Sequence, residues 1–188
     1  MERRLLVGTC RSGSTALLHA LSQHPDTECV YQPIKSGLRV QGQANYDFFQ
    51  QATTKGAIFL IAKETIGHKT REECRLAVFP NDEAVKATRP CFIVREPVAT
   101  YASWLKLGWG NDTLFADSYE HTAALFDQAS SVSDQTCLLI QEELAANPEI
   151  LMKALCIRWG IPFRPELVNW PKRLGADSPI HRWIHSGS

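Results

Sequence analysis

The sequence has no excess of charge of either sign and no hydrophobic run long enough to cross a membrane. Its 20 Lys and Arg residues balance its 20 Asp and Glu residues. A chain without an overall basic field gives no reason to expect a nucleic acid or an anionic membrane as a partner, so any anion site must be local. A membrane-spanning helix needs about 20 consecutive apolar residues, which no part of this sequence provides.

The sequence also lacks paired cysteines and an N-terminal signal peptide. Its six cysteines are scattered without a C-x-x-C spacing, which favours free thiols in a reducing compartment over disulfides or a zinc site. Met1 is followed at once by charged residues and a short apolar strand, with no hydrophobic signal core. We therefore predict a cytoplasmic protein without a metal site, and the length of 188 residues predicts a single domain over residues 1–188.

Short apolar runs alternate with amphipathic segments along the chain. The predicted strands are residues 4–7, 28–31, 57–62, 90–94 and 136–140, and the predicted helices are residues 14–23, 44–53, 70–79, 97–108, 117–130 and 148–159. The polar residues 36–43 are predicted to be a surface loop near the ligand. This alternation predicts an α/β fold of three layers, in which a parallel sheet of about five strands has helices on both faces.

The first strand leads into a glycine-flanked loop that opens into a helix. Its two glycines, Gly8 and Gly13, have the G-x-x-x-x-G spacing of a P-loop, where backbone amides and the positive end of a helix dipole face a phosphate. The candidate anion-binding residues of this loop are Arg11, Ser12, Gly13, Ser14 and Thr15. An ordinary turn between a strand and a helix, without a ligand, is the alternative interpretation.

The residue after the second glycine argues against a common nucleotide site. Ser14 stands where an ATP- or GTP-binding P-loop has the lysine that reaches the outer phosphates. No strand end in the sequence carries the aspartate that would hold Mg²⁺ in such a site. These two absences agree with each other, and both argue against an ordinary nucleoside triphosphate site.

A second candidate anion site follows the fourth strand. Arg95 ends this buried strand, Pro97 suits the first position of a helix, and Ser103 lies eight residues after Arg95. The strand end and the first helical turns can present a guanidinium and a hydroxyl to one anion. Alternatively, Arg95 forms an ion pair with Glu96 and Ser103 bonds its own helix backbone.

These two motifs resemble those of the sulfotransferases that use 3'-phosphoadenosine 5'-phosphosulfate. Residues 10–15 resemble their 5'-phosphosulfate loop, and Arg95-Glu96-Pro97 with Ser103 resembles their 3'-phosphate motif. Residues 156–165 resemble the C-terminal part of small bacterial members. The resemblance implies a P-loop NTPase-like fold and transfer of a sulfuryl group from this donor to a hydroxyl or amine of a small-molecule acceptor, without a required metal.

The resemblance also implies roles for individual residues. Arg11 would stabilise the leaving phosphate, and Arg173, in the basic segment 172–175, would contact the 3'-phosphate. Gln32 stands where some members have a glutamate base, so this chain departs from that pattern. The resemblance offers a second place for a base, in the segment that follows the third strand. In this chain that segment supplies Glu64 as the first candidate base, His68 as the second, and Lys63 as a stabiliser of the bridging oxygen.

Several points stay open from the sequence alone. A P-loop kinase of a small metabolite and a non-catalytic nucleotide-binding protein are the alternative functions. Three aromatic residues, Trp104, Trp109 and Phe115, are candidates for the acceptor pocket or for the core. The acceptor is not readable, and a homodimer is one possible oligomeric state.

Overall fold

The computed structural model describes residues 1–53 and 56–169, and its centre is a sheet of parallel strands. The strands are β1 (Glu2–Thr9), β2 (Thr27–Tyr31), β3 (Phe59–Ile66), β4 (Cys91–Val94) and β5 (Cys137–Ile140). The helices are α1 (Ser14–Leu21), α2 (Pro33–Gln41), α3 (Arg71–Cys74), α4 (Asp82–Thr88), α5 (Pro97–Leu105), α6 (Asp112–Val132), α7 (Gln141–Ala146) and α8 (Pro148–Trp159). The order β2-β3-β1-β4-β5 places β1 in the middle of the sheet.

Alternate residues of the central strand face two separate hydrophobic layers. Leu6 belongs to the layer that includes residues of α1 and α8. Leu5 and Val7 belong to the layer that includes residues of α2, α4 and α6. Because successive side chains of a strand point to opposite faces, a strand covered on both faces must be apolar throughout. The predicted parallel sheet of five strands with helices on both faces is confirmed.

The strand order fixes where a ligand can bind. β3 lies on one side of β1 and β4 on the other, so the connections from neighbouring strands diverge at the carboxyl end of β1. In open α/β sheets, ligands bind in the crevice that forms at such a switch point. The glycine-flanked loop follows β1 and therefore stands at this crevice.

The prediction of a surface loop over residues 36–43 is wrong. This segment belongs to α2, which begins at Pro33 and ends before Gly42, where φ is 74°. Pro33 suits a first helical turn, and Gly42 ends the helix in the left-handed conformation that favours glycine. Ile34, Lys35 and Gly37 of this helix are buried, so its polar composition concealed a face that packs on the sheet.

The third strand is longer than its apolar run. The prediction ended it at residue 62, but β3 continues to Ile66 and pairs with β1 from Glu2↔Phe59 to Thr9↔Ile66. Lys63, Glu64 and Thr65 are therefore strand residues rather than loop residues. Pairing with the central strand satisfies their backbone groups, and this overrides their lower strand propensity.

Other boundaries shift as well. The predicted helix 44–53 is reduced to a 3₁₀ turn at Asp47–Phe49, and the predicted helix 70–79 is reduced to α3. The predicted helix 117–130 starts earlier, because the Asn111 side chain accepts a hydrogen bond from the Leu114 amide and caps α6. Besides α2, the helices α4 and α7 were not predicted.

The sequence predicted neither disulfides nor a membrane-spanning helix. All six cysteines are free thiols, as predicted. Within residues 1–53 and 56–169, no helix is long and apolar enough to span a membrane.

Gly8 lies in β1 where the backbone of β4 leaves no room for a side chain. A Cβ atom at this position would be 2.6 Å from the backbone oxygen of Ile93 in β4 and 2.6 Å from Oγ of Ser12. A backbone oxygen cannot give way without separating β1 from β4. The glycine is therefore required by close packing at the start of the loop.

We expect Gly8→Ala to lower the free energy of unfolding by about 1–3 kcal/mol, because overpacking against backbone forces a shift of the strands. Gly110→Ala is the matched control, since its added Cβ would meet only the terminal methyl group of Leu105, which is 54% exposed and free to rotate. Urea unfolding followed by circular dichroism measures both. Equal stabilities of the two variants would contradict the close approach at Gly8.

Candidate functional site

A cavity of about 870 Å³ opens at the carboxyl edge of the sheet, around the loop between β1 and α1. Five basic residues line it: Arg11, Arg39, Lys63, Lys69 and Arg95. None of the Asp and Glu residues in the described part of the chain lines it. A concave wall with cations and no carboxylate concentrates positive potential and favours an anionic ligand.

The loop presents uncapped amides to this cavity. Arg11 and Gly13 have positive φ angles of 76° and 87°, so the backbone turns sharply before α1 begins at Ser14. No side chain caps the N-terminus of α1. The Ala16 amide donates to the Gly13 carbonyl over 3.0 Å, so the amides of Ser14 and Thr15 are the ones available to an anion, together with the positive end of the helix dipole.

Buried groups hold the loop in this shape. The indole of Trp104, which is fully buried, donates from Nε1 to the Cys10 carbonyl over 2.9 Å. The Cys10 thiol donates to the Gly67 carbonyl over 3.1 Å, and the Cys10 amide donates to the Ile66 carbonyl over 2.9 Å. Since these contacts come from α5 and from the end of β3, the loop is fixed before any ligand binds.

Ser12 takes a position that the prediction did not foresee. Its side chain is buried over Gly8 and does not line the cavity. Its hydroxyl has no hydrogen-bond partner within residues 1–53 and 56–169. The predicted loop residues Arg11, Gly13, Ser14 and Thr15 do line the cavity.

The two sequence motifs meet through one hydrogen bond. Nε of Arg11 donates to Oγ of Ser103 on α5 over 3.0 Å. The alternative in which Ser103 bonds its own helix is therefore not what the structure shows. Ser103 does not itself line the cavity, but it orients the guanidinium that does.

Arg95 faces the cavity from the end of β4 and is not paired with Glu96. The Glu96 carboxylate instead caps α5 by accepting from the amides of Val98 and Ala99. The nearest carboxylate to Arg95 belongs to Glu142, whose Oε1 is 3.9 Å from Nε. Nε has no hydrogen-bond partner in the described part of the chain, so this guanidinium retains capacity to bind an anion.

Lys63 is a buried cation beside the loop. Its side chain points from β3 toward α1, where Nζ donates to Oγ1 of Thr15 over 3.0 Å and lies 4.0 Å from the centre of the Tyr31 ring. Burial lowers the pKa of Lys63 to about 7, because desolvation disfavours the ammonium form. An anion bound at the loop would favour protonation of this amine.

The position of Glu64 argues against its predicted role as the first candidate base. Successive strand residues face opposite sides, so Glu64 points away from the cavity that Lys63 and Thr65 line. Its two carboxylate oxygens accept from the amides of Ile34 and Lys35, at 2.7 and 3.3 Å. Burial raises the pKa of Glu64 to about 7. Its role is to accept hydrogen bonds from backbone amides at the N-terminus of α2 that have no partner within the helix.

His68, the second candidate base, does line the cavity. Its ring lies 3.6 Å from the ring of Trp109, measured between centroids, and its Nδ1 is 3.4 Å from Nη2 of Arg39. Because arginine only donates hydrogen bonds, this contact assigns the lone pair to Nδ1. Burial lowers the pKa of His68 to about 4, so the ring is neutral near neutral pH.

Lys35, Arg39 and Glu73 form a buried ionic cluster that the sequence did not reveal, and its Arg39 contacts His68. Nζ of Lys35, which is fully buried, lies 3.1 Å from a Glu73 oxygen and also donates to the carbonyls of Thr65 and Gly67. Arg39 bonds both Glu73 oxygens, at 2.7 and 3.0 Å. Burial would raise the pKa of Glu73, but the hydrogen bond from Arg39 and the charges of Lys35 and Arg39 lower it to about 2.

The spacing of Lys35 and Arg39, four residues apart, would have placed them on one helix face. The segment was instead predicted as a loop, so that signal was lost.

The predicted aromatic residues separate into two groups. Trp109 lines the cavity. Trp104 is buried and Phe115 packs against it with ring centroids 5.2 Å apart, so both belong to the support of the loop. Arg173 lies outside the described residues. Within those residues, no group of three or more His, Cys, Asp or Glu side chains is arranged to hold a metal ion.

No protein-family model matches the sequence, and no curated protein matches it. Solved structures do match. The sulfotransferase domain of a Synechococcus olefin synthase aligns with a TM-score of 0.61 at 15% identity, covering 98% of this chain and 83% of that one. A sulfotransferase from Alicyclobacillus acidocaldarius aligns with a TM-score of 0.58 at 15% identity, covering 94% and 87%.

A mouse sulfotransferase complexed with PAP aligns with a TM-score of 0.57 at 15% identity and covers 88% of this chain. The chain spans 60% of that mouse protein. At such identities the likeness concerns the fold. The chain has a P-loop sulfotransferase-like fold, which confirms the predicted P-loop architecture.

We expect Lys63 to titrate about three units below an ordinary lysine, whose pKa is about 10.4, and to shift upward when sulfate is added. The reason is that burial disfavours the charged form while a neighbouring anion favours it. NMR titration of the lysine side-chain Cε–Hε signals measures this, and the spectrum of Lys63→Met assigns the signal. Titration of every lysine near its ordinary pKa would contradict this account of the site.

Proposed function

We propose that this protein is a sulfotransferase that moves a sulfuryl group from 3'-phosphoadenosine 5'-phosphosulfate to a small-molecule acceptor. One observation carries the proposal: a cavity lined by cations, and by no carboxylate of residues 1–53 and 56–169, joins the loop after β1 to Arg95 after β4. A donor with a 5'-phosphosulfate and a 3'-phosphate needs two separated anion sites. The sulfotransferase-like fold supports the same conclusion.

The residues present fit this donor. The uncapped first turn of α1, Thr15 and Lys63 form one anion site, in which Thr15 and Lys63 are already joined by a hydrogen bond of 3.0 Å. Arg95, whose Nε lacks a hydrogen-bond partner in the described part of the chain, is available as the second. Arg11 also lines the cavity and is oriented by Ser103 of α5, the helix that follows Arg95.

The chemistry assigned to each residue follows from its position. The donor supplies the sulfuryl group and leaves as adenosine 3',5'-bisphosphate. Arg11 and Lys63 stabilise negative charge on the leaving phosphate oxygen, as preorganised cations do in phosphoryl transfer. Burial makes the contribution of Lys63 stronger, since fewer water molecules compete with it.

The acceptor hydroxyl or amine requires a base, and His68 is the candidate that faces the cavity. Its neutral ring can take a proton at Nδ1, the atom that Arg39 contacts in this structure. The acceptor would replace Arg39 as the donor to Nδ1. Glu64 has no route to the cavity because both of its oxygens bond the backbone of α2.

The alternative of a small-metabolite kinase has less support. Mg²⁺ in P-loop kinases is held in part by an acidic residue, and no carboxylate of the described residues lines this cavity. A non-catalytic protein that binds the same nucleotide shares the donor site of our proposal and differs from it only in turnover.

The donor site is tested by titration calorimetry with adenosine 3',5'-bisphosphate beside ADP and ATP-Mg²⁺. We expect the bisphosphate to bind more tightly than ADP, and Arg95→Ala to weaken bisphosphate binding about 10- to 100-fold, since a hydrogen bond to a charged group contributes about 1.5–3 kcal/mol. Affinity for ADP, which lacks the 3'-phosphate, should change little.

Arg158→Ala removes a guanidinium that lies outside the cavity and is the matched control. Preferential binding of ATP-Mg²⁺ with indifference to a 3'-phosphate would replace the proposal with the kinase alternative. Binding of the bisphosphate without sulfuryl transfer to any acceptor in a broad panel would indicate the non-catalytic alternative.

The two candidate bases are separated by His68→Asn and Glu64→Gln. We expect His68→Asn to lower kcat about 10²- to 10⁴-fold, the usual contribution of a general base, while bisphosphate affinity is retained. Glu64→Gln should instead lower the melting temperature, because its amide can accept only with one oxygen, while kcat is retained. Transfer of labelled sulfuryl groups to the best acceptor of the panel measures kcat. A larger kcat loss in Glu64→Gln would reverse the assignment.

A further inference from the structure

Two cations of the cavity lie apart from the sites that the proposed donor would use. Arg39 on α2 and Lys69 after β3 line the part of the cavity near β2 and β3, whereas Arg95 follows β4 on the other side of β1. Because neighbouring strands lie about 4.8 Å apart, the ends of β3 and β4 are about 10 Å apart. We call Arg39, His68, Lys69 and Trp109 the Arg39 wall.

The charges at the Arg39 wall are not balanced. Glu73 is the carboxylate that Arg39 bonds, and it is shared with Lys35. One carboxylate between two cations leaves one positive charge in excess, and the exposed Lys69 adds a second. The other carboxylate near Lys35 belongs to Glu64, which faces the backbone of α2 rather than the cavity.

Arg39 keeps donors for a further partner. It uses Nε and Nη2 to bond Glu73, and Nη2 also approaches His68. A guanidinium carries five N–H donors, so Nη1 remains for an anion in the cavity. Glu73 itself is 4% exposed in its side chain, and it therefore fixes Arg39 from behind without occupying the cavity.

Apolar side chains line the same cavity as the Arg39 wall. Val40 is 82% exposed and Leu107 is 46% exposed, and both line the cavity. The Trp109 ring, which also lines the cavity, packs on the His68 ring with the centroids 3.6 Å apart. Binding pockets combine apolar surface with a few convergent polar groups. This combination suits a ligand that has an apolar body and an anionic group.

We infer that the acceptor is a hydroxylated organic acid whose carboxylate binds Arg39 and Lys69. Its apolar body lies against Val40, Leu107 and Trp109, and its hydroxyl lies at Nδ1 of His68. In the transfer, the sulfur–oxygen bond to the leaving phosphate breaks, the hydroxyl oxygen forms a new bond to sulfur, and its proton passes to Nδ1. This inference rests on the proposed function, since it names the acceptor of that reaction.

The distance between Arg39 and His68 supports this placement. Nη2 of Arg39 is 3.4 Å from Nδ1 of His68, so an anion held by Arg39 brings the rest of the acceptor directly beside the base. Because Nη2 carries two hydrogens, a carboxylate that accepts from Nη1 and from the Nη2 hydrogen not used by Glu73 would release Nδ1 for the hydroxyl while Arg39 stays bonded to Glu73. The anion site would therefore select the acceptor and expose the base in one step.

Matched pairs that differ only in charge test the inference. Mandelic acid and mandelamide, and phloretic acid and phloretamide, are titrated by calorimetry into the protein saturated with adenosine 3',5'-bisphosphate and into the protein alone. We expect each acid to bind at least about tenfold more tightly than its amide, the ratio that a single charge-assisted hydrogen bond provides. The acid preference should disappear in Arg39→Gln.

Lys69→Gln and Lys86→Gln complete the test. Arg39→Gln also removes a partner of Glu73 and can impair folding, whereas Lys69 is exposed, so Lys69→Gln keeps the fold and should reduce the acid preference alone. Lys86 lies on α4, outside the cavity and paired with Glu83, and Lys86→Gln should leave the preference unchanged.

The possible outcomes are distinguishable. Equal affinity of acids and amides, failure of both acids to bind, or an acid preference that survives both Arg39→Gln and Lys69→Gln would overturn the inference. Acid binding that depends on Arg39 in a protein that does not bind the bisphosphate would uphold the anion site and refute the proposed donor. Bisphosphate binding without a preference for acids would uphold the proposed donor and refute the inferred acid site.

Discussion

The pairing of β3 with β1 is the constraint on which the site depends. The hydrogen-bonded register continues to Thr9↔Ile66, beyond the apolar part of β3, and so it forces polar side chains into a strand. Alternation along that strand then directs Lys63 toward the loop and Glu64 toward α2. A shift of one residue would exchange these two side chains between faces and remove the buried cation from the cavity.

The site is assembled before any ligand binds. Burying its charged groups costs free energy, but burial also strengthens their attraction for an anion. Fully buried Lys35 and nearly buried Lys63 lie close to the loop, where few water molecules can screen them. Glu73 lies on the interior side of Lys35 and Arg39 and offsets their charges, Glu142 lies 3.9 Å from Arg95, and no carboxylate of the described residues lines the cavity itself. The protein thus holds a surplus of positive charge in a concave site, which favours an anionic ligand.

Support for the loop comes from residues that sequence patterns alone did not place. Trp104 was a candidate for the acceptor pocket, yet it lies fully buried and bonds the Cys10 carbonyl. Ser12 was a candidate anion donor, yet its hydroxyl lies over Gly8. The same residue types serve support or binding equally well, and their direction depends on neighbours that are distant in the sequence.

The sequence alone predicted the parallel sheet, the loop after β1 and the helix that begins at Pro97 and carries Ser103. These depend on local signals: apolar runs bounded by turns, two glycines at fixed spacing, and a proline that begins α5. It did not determine α2, the extent of β3 or the Lys35–Glu73–Arg39 cluster. Those depend on tertiary structure, because a polar segment becomes a helix or strand only where a neighbouring strand and a buried partner satisfy its backbone and its charges.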